Sequence, residues 1–285
     1  MGVVFLGNAR SNSTQPFLDL TPGGNETGAI RSSSRAFAWV RLATPLLALL
    51  LAWLAWEAAV RLSRLPAFIL PSPAQVWARG LRALTDGTLL ANARVTLEET
   101  LLGLGLGMFL ALLCGYPLAK SRTLERLLVP YVVASQAIPS VAIAPLLVIW
   151  LGPGMLSKIL ICALIVFFPV LVNTIVGLRS VEANLRELMR SLKATRWQTF
   201  RYLEVPGAMP VLLGGLKIGA TLSVIGAVVG EFVGADRGLG FLINLGRQQY
   251  DTALVFVGIF SLVVLALALY GTVALAERVL LAWRG

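Results

Sequence analysis

The sequence predicts an all-α protein that crosses the lipid bilayer about six times, and two observations carry this prediction. Of the 285 residues, 57% are hydrophobic and only 13% are charged, with a mean hydropathy of +0.81. A soluble domain carries about 25% charged residues, so much of this chain must face lipid. The apolar residues also fall into runs of about 20, the length that a helix needs to span the hydrocarbon core.

Six such runs follow one another, with short polar segments between them. We place the spans at residues 40–60, 101–119, 129–151, 159–178, 211–233 and 254–275. The net charge of +10 does not indicate a nucleic-acid-binding protein, because the basic residues lie between the apolar runs and form no single patch. The absence of histidine removes the commonest general base and the commonest metal ligand. No cofactor is predicted.

Two segments differ from the spans. Residues 1–37 are rich in Ser, Gly, Asn and Thr, so we expect a disordered cytoplasmic tail ahead of a membrane domain at residues 38–285. Between the first two spans, Pro73 suits the first turn of a helix and Ser72 suits its cap. Leucines and arginines alternate after this point, which favours a short amphipathic helix on the membrane surface.

The distribution of basic residues predicts the orientation in the membrane. If the N-terminus is cytoplasmic, 15 of the 24 Lys and Arg residues lie in cytoplasmic segments and 8 in outer segments, with Lys217 inside a span. Five of the eight outer residues lie in the longest outer loop, where positive charge is tolerated best. Because cytoplasmic loops carry the excess of positive charge, we expect both termini in the cytoplasm.

The loop at residues 179–210 is too polar to span the bilayer, yet too regularly patterned to be a linker. Arg and Glu fill one side of the pattern, and apolar residues recur on the other side at helical spacing: Leu185, Leu188, Met189, Leu192, Trp197 and Phe200. We expect two short helices that are separated near Ala194, with Thr195 as the cap of the second. Pro206 and Pro210 are expected to close the segment before the next span.

This loop resembles the cytoplasmic loop of binding-protein-dependent permeases of ATP-binding-cassette (ABC) importers. That family's pattern is Glu-Ala-Ala, three residues, Gly, nine residues, Ile, one residue, Leu-Pro. Glu187 takes the Glu position, and Leu203, Val205 and Pro206 take the Ile, Leu and Pro positions. Lys193 stands at the glycine position, and residues 188–189, Leu and Met, replace the two alanines.

The resemblance extends over residues 65–275. The Leu-Pro-Ser-Pro run at 70–73 and the Gly-Glu-Phe-Val run at 230–233 are similar to nitrate, sulfonate and taurine permeases. The central stretch, residues 135–180, is similar to permeases for riboflavin and for thiamine pyrimidine precursors. The resemblance implies the type I ABC importer permease fold (MetI-like) in the inner, cytoplasmic membrane.

In this family the loop forms coupling helices that dock on an ATP-binding subunit. Trp197 and Phe200 would be the apolar anchors, since aromatic residues dominate interface energetics. The candidate coupling residues are Glu187, Arg190, Lys193, Thr195, Arg196, Trp197, Phe200 and Pro206. The chain has no GxxxxGK[ST] phosphate loop, so it is expected to be no enzyme and to rely on a partner's ATPase. The resemblance implies two ATPase subunits, an extracytoplasmic substrate-binding protein and a second permease, which we expect to form a homodimer.

Three further residues are candidates for the pore or a gate. Glu231 lies late in the fifth span, where it could act at a gate or serve as a helix-end charge paired with Arg237. Lys217 could contribute to an anion path or extend its ammonium group to the lipid headgroups. Trp150 could stack on a ligand or mark the membrane interface.

The expected cargo is riboflavin or a thiamine pyrimidine precursor, and the alternative is nitrate, a sulfonate or taurine. Apart from Arg41 at the very start of the first span, Lys217 is the only basic residue inside a predicted span, which slightly favours an uncharged heterocycle. A secondary transporter driven by an ion gradient is a rival, but such proteins usually show more intramembrane ionisable residues and often an internal repeat. A membrane-embedded enzyme is disfavoured because the spans carry no clustered carboxylates.

Overall fold

The computed structural model describes residues 33–136 and 138–282, and within these ranges the ordered elements are helices. Their bounds are α1 (Ser33–Ser63), α2 (Pro73–Thr85), α3 (Thr88–Lys120), α4 (Arg122–Gln136), α5 (Ser140–Leu151), α6 (Met155–Arg179), α7 (Ala183–Ser191), α8 (Arg196–Thr199), α9 (Val205–Gly234), α10 (Leu239–Gln248) and α11 (Thr252–Leu280). A π-helical turn, Phe200–Glu204, lies between α8 and α9. The all-α fold class is confirmed.

The chain divides into two compact units, Met1–Ala55 and Trp56–Gly285. The described part of the first unit is the N-terminal portion of α1, which covers most of the first predicted span. Residues 33–37 of the predicted tail are helical, and residues 1–32 lie outside the described residues.

Within the described residues, four helical stretches are long and apolar enough to cross a bilayer: Thr88–Lys120, Met155–Arg179, Arg196–Gly234 and Thr252–Leu280. They contain the second, fourth, fifth and sixth predicted spans. Each one starts or ends several residues beyond the predicted apolar run, because polar residues join its terminal turns.

The third predicted span, residues 129–151, is not one continuous helix. Ile138 and Pro139 are non-helical, and they separate α4 from α5. Proline disfavours the helical conformation of the residue before it and has no N–H to donate. At about 1.5 Å per residue, neither helix alone is long enough for a hydrocarbon core of about 30 Å.

Helix α2 begins as the sequence predicts. Ser72 accepts a hydrogen bond from the Gln75 backbone N–H at 3.3 Å, and the Gln75 side chain accepts from the Ser72 N–H at 2.9 Å. Pro73 occupies the first turn. Val76 and Ala83 are buried and belong to a cluster with Leu239 and Val257, whereas the arginines of α2 remain outside this cluster. The amphipathic character of α2 is thereby confirmed.

Helices α3, α6 and α9 pack together and form the centre of the second unit, with a core that includes Leu104, Val166, Leu171 and Val224. Close approach of α3 to α6 requires a residue without a side chain. A Cβ atom at Gly103 would overlap the Cβ of Cys162. This tight packing fixes the ends of the three helices, where the candidate functional residues lie.

Candidate functional site

The segment between α6 and α9, residues 180–204, is here called the interspan segment. It contains two short helices, α7 and α8, as the spacing of its apolar residues predicts. Thr195 caps α8: its hydroxyl accepts from the Gln198 N–H at 3.2 Å, and the Gln198 side chain accepts from the Thr195 N–H at 2.7 Å. The predicted role of Thr195 as a helix cap is confirmed.

The end of the segment differs from the sequence-based expectation. Pro206 and Pro210 do not interrupt the helix. Instead, α8, the π turn and α9 form one continuous helical stretch, Arg196–Gly234. Pro206 lies in the first turn of α9, where a missing N–H is tolerated. The wider π turn directly before it accommodates a residue that cannot continue the α-helical hydrogen bonds.

The surface of the interspan segment combines exposed apolar and charged side chains. No residue of α7 or α8 is buried. Leu188 is 53% exposed, Leu192 is 68% exposed and Trp197 is 65% exposed. The predicted charged residues at positions 187, 190, 193 and 196 are also exposed. Large apolar groups with a charged rim are the composition of a protein interface.

Aromatic packing connects this surface to the membrane bundle. Trp197 stacks on Phe200 with ring centroids 5.5 Å apart, and Phe200 meets the edge of Tyr116 of α3 at 5.4 Å. Phe200 is half-buried, whereas Trp197 extends outward. The three rings lie beside an apolar groove of about 680 Å³. Phe200 therefore anchors α8 to the bundle and leaves most of the Trp197 ring free.

Lys193 occupies an unusual backbone conformation between α7 and α8. Its φ is +53°, in the left-handed region. The Ala194 N–H donates to the Met189 carbonyl and the Lys193 N–H donates to the Arg190 carbonyl, each at 2.9 Å. These two bonds form the Schellman motif, which usually places glycine at this position. The residue at the glycine position of the family pattern thus adopts, in this chain, a backbone conformation that glycine favours.

Two ion pairs lie at the end of the helix bundle that carries the interspan segment. The sequence did not indicate either of them. Buried Glu204 of the π turn pairs with Lys120, the last residue of α3. Arg179 binds both oxygens of Glu125, at 2.5 and 2.7 Å. The hydrogen bonds from Arg179 hold the pKa of Glu125 below its usual value. Partners more than 50 residues apart cannot be paired from local spacing.

Glu231 forms no ion pair with Arg237, which was the alternative to a role at a gate. Its carboxylate is 1% exposed, and it accepts hydrogen bonds from the Thr96 hydroxyl at 2.6 Å and from the Gly240 N–H. Arg237 is exposed. Arg237 was a candidate partner because the two residues are close in sequence, but the last turn of α9 directs Glu231 towards α3 and α10. Two further buried charges, Glu99 and Lys158, accompany it, and sequence reasoning missed both as site residues.

The other two candidate pore residues lie apart from this cluster. Lys217 of α9 forms an ion pair with Glu277 of α11, and its ammonium group lies 5.9 Å from the centre of the Tyr270 ring. Trp150 is near the end of α5 and is 70% exposed. The structure thus does not bring Glu231, Lys217 and Trp150 together into one site.

Residues 103–280 match the family described as binding-protein-dependent transport system inner membrane component. The riboflavin transport system permease protein RibX of Chloroflexus aurantiacus is 47% identical over 89% of this chain and 94% of that protein. The formylaminopyrimidine transport permease protein ThiX of Halalkalibacterium halodurans is 37% identical over 84% and 95%. The taurine transport system permease protein TauC of Escherichia coli is 31% identical over 81% and 86%.

Among solved structures, the inward-facing MetNI methionine ABC transporter superposes with a TM-score of 0.60 at 22% identity, covering 69% of this chain and 97% of the other. An amino acid ABC transporter superposes with a TM-score of 0.56 at 18% identity. At these identities the superpositions show a shared fold.

Proposed function

Because this chain belongs to the family of binding-protein-dependent transport system inner membrane components, we propose that it forms the pore of an ATP-driven importer for riboflavin. The similarity to RibX carries the choice of cargo, since it covers nearly the full length of both proteins. A formylated pyrimidine is the second candidate, supported by the similarity to ThiX. Taurine, sulfonates and nitrate are the third class.

The interspan segment is the proposed docking site for an ATP-binding subunit. Its support is the exposed apolar surface of α7 and α8, which a soluble partner would cover. Trp197 would insert into the partner, while Glu187, Arg190, Lys193 and Arg196 would set the orientation through charge. Thr195 and Pro206 would act indirectly, by fixing the start of α8 and of α9.

The continuous helix from Arg196 to Gly234 provides a mechanical connection for this proposal. A movement imposed on α8 by a nucleotide-driven partner would pass into α9 without an intervening flexible loop. Phe200 and the Lys120–Glu204 pair hold the start of that helix to α3. The interspan segment would therefore move together with the bundle.

The proposed assembly contains two copies of this chain, two ATPase subunits and one extracytoplasmic binding protein. Both termini would lie in the cytoplasm, which places the interspan segment on the side where ATP is available. The sequence has no phosphate loop of its own, so the energy of transport would come from the partner.

Isolation of the chain from its native membrane in mild detergent tests the assembly and the cargo together. We expect an ATPase subunit to copurify, and we expect the associated binding protein to bind riboflavin more tightly than formylaminopyrimidine, taurine or nitrate. Preferential binding of another ligand would replace riboflavin and leave the importer intact. Repeated isolation of the chain without any ATPase would contradict the importer itself.

A further inference from the structure

Three charged side chains are buried together at the end of the bundle that lies away from the interspan segment. Glu99 of α3 and Glu231 of α9 are each 1% exposed, and Lys158 of α6 is 3% exposed. The Lys158 ammonium lies 3.3 Å from Oε1 of Glu99. Thr96, whose hydroxyl contacts Glu231, lies one helical turn before Glu99 on the same side of α3, and Lys158 packs against Gly230 beside Glu231.

The hydrogen bonds assign different protonation states to the two carboxyl groups. The Leu239 N–H donates to the Thr96 hydroxyl at 2.8 Å. The single proton of that hydroxyl has two acceptors in reach, Oε1 of Glu231 at 2.6 Å and the Asn92 carbonyl at 3.2 Å. The shorter distance, in the range of an O–H···carboxylate hydrogen bond, assigns the proton to Glu231. Oε2 of Glu231 accepts from the Gly240 N–H. Both oxygens of Glu231 are therefore acceptors, as in an ionised carboxylate.

Glu99 has the opposite pattern. Its Oε1 faces Lys158, but its Oε2 is buried and receives no hydrogen bond from the described residues. An ionised oxygen without a donor is costly in a buried site. Two carboxylates beside one ammonium would also leave one negative charge uncompensated, which is strongly unfavourable away from water. A proton on Oε2 removes both problems.

We propose that Glu99, Glu231 and Lys158 form a proton-binding site, in which Glu99 carries one proton on Oε2 and donates it to Glu231. The site is then electrically neutral, with one carboxylic acid, one carboxylate and one ammonium. Cys162, the neighbouring thiol on α6, directs its S–H to the Ser223 carbonyl at 3.4 Å and does not supply this proton.

The ionised state of Glu231 has a structural consequence for α10. The carboxylate of Glu231 lies at the N-terminus of this helix, where negative charge is favourable. Gly238 and Gly240 permit this approach, since a Cβ atom at Gly238 would overlap the carboxylate and one at Gly240 would lie 2.7 Å from Oε2. The Glu231 carboxylate therefore positions α10 against α3 and α9, whatever the cargo of the transporter.

Two amide variants of the detergent-solubilised protein test the site. Glu99→Gln keeps a neutral side chain with a donor in place of the acid O–H, so the melting temperature should stay within about 3 °C of wild type. Glu231→Gln removes the carboxylate and turns one N–H towards an existing donor, so its melting temperature should fall by at least twice that limit, about 6 °C. A Glu99→Gln protein that fails to fold, or that is as unstable as Glu231→Gln, would overturn the proposal.

Infrared spectroscopy gives a readout that a merely structural role would not produce. The wild-type protein at neutral pH should show the C=O stretch of a buried protonated carboxyl group, and the Glu99→Gln protein should lack it. Absence of this band in wild type would overturn the proposal. Stabilisation of wild type by Na⁺, relative to choline at equal ionic strength, would also overturn it, because the site would then bind a metal cation instead of a proton.

Discussion

Replacing Trp197 with alanine should separate the docking role of this residue from its role in the fold. Trp197 is 65% exposed, and within the chain its ring stacks on the Phe200 ring at 5.5 Å. Aromatic pairs contribute about 0.5–1.5 kcal/mol beyond the area they bury. We therefore expect the variant to lose roughly 1 kcal/mol of its own stability, which lowers the melting temperature by about 2–4 °C.

The effect on the ATPase partner should be much larger. Tryptophans at the centre of an interface typically cost about 2–4 kcal/mol when truncated, which corresponds to roughly a 30-fold to 1,000-fold loss of affinity. The assay is the binding of the purified ATPase subunit to the detergent-solubilised chain, with substrate uptake measured in parallel.

Trp77 provides the matched control for this experiment. It lies on α2, outside the interspan segment, and is 72% exposed. Trp77→Ala removes an exposed side chain of the same type from a different surface, so it should leave the affinity for the ATPase unchanged. If Trp197→Ala bound the ATPase within about threefold of wild type and retained full uptake, the assignment of Trp197 as a docking anchor would be wrong.

Three further predictions concern the fold around the interspan segment and the bundle. Lys193→Gly relieves a left-handed backbone conformation that costs a non-glycine residue about 1–2 kcal/mol, and the greater entropy of glycine in the unfolded chain partly offsets this gain. Amide hydrogen exchange across the α7–α8 turn should therefore slow by roughly two- to fivefold. Unchanged or faster exchange would refute this explanation. Gly103→Ala should destabilise the protein by about 1–3 kcal/mol through overpacking against α6. The control, Gly105→Ala, should not, because a Cβ atom at Gly105 meets no atom within 4 Å. Equal melting temperatures of the two variants would contradict the close packing of α3 on α6. Arg179 lowers the pKa of Glu125 in the folded protein. The stability advantage of wild type over Glu125→Gln should therefore be present above about pH 4.3 and should disappear as the pH falls through the lower folded-state pKa. A stability difference that stayed constant down to the lowest pH would refute the contribution of the Arg179–Glu125 ion pair.

The sequence was sufficient for features that depend on residues close together in the chain. Hydropathy located the spans in α3, α6, α9 and α11, because each contains a long apolar run. The caps at Ser72 and Thr195 were also predictable, since the capping residue and its partner are three positions apart. The break at Pro139 was visible as a proline inside an apolar run, but hydropathy alone could not show that it ends a helix.

The buried cluster could not be predicted from the sequence. Thr96 and Glu231 are 135 positions apart, so their contact depends on the packing of α3 against α9 and α10. Lys158 and Glu99 lie just outside the predicted apolar runs, where charged residues usually contact the headgroups. The helices extend past those runs, and these charges are enclosed as a result. Of the two alternatives for Glu231, the pairing with Arg237 is not formed, because proximity in sequence does not determine the direction of a side chain at a helix end.

Uptake by the reconstituted complex is the most direct test of an ATP-driven importer. The purified chain, its ATPase and its binding protein are placed in liposomes that contain ATP, and ionophores collapse all ion gradients. We predict that radiolabelled riboflavin accumulates under these conditions and that a non-hydrolysable ATP analogue abolishes accumulation. Uptake that stops when the gradients collapse, although ATP is still present, would contradict the proposed mechanism and indicate a carrier driven by an ion gradient.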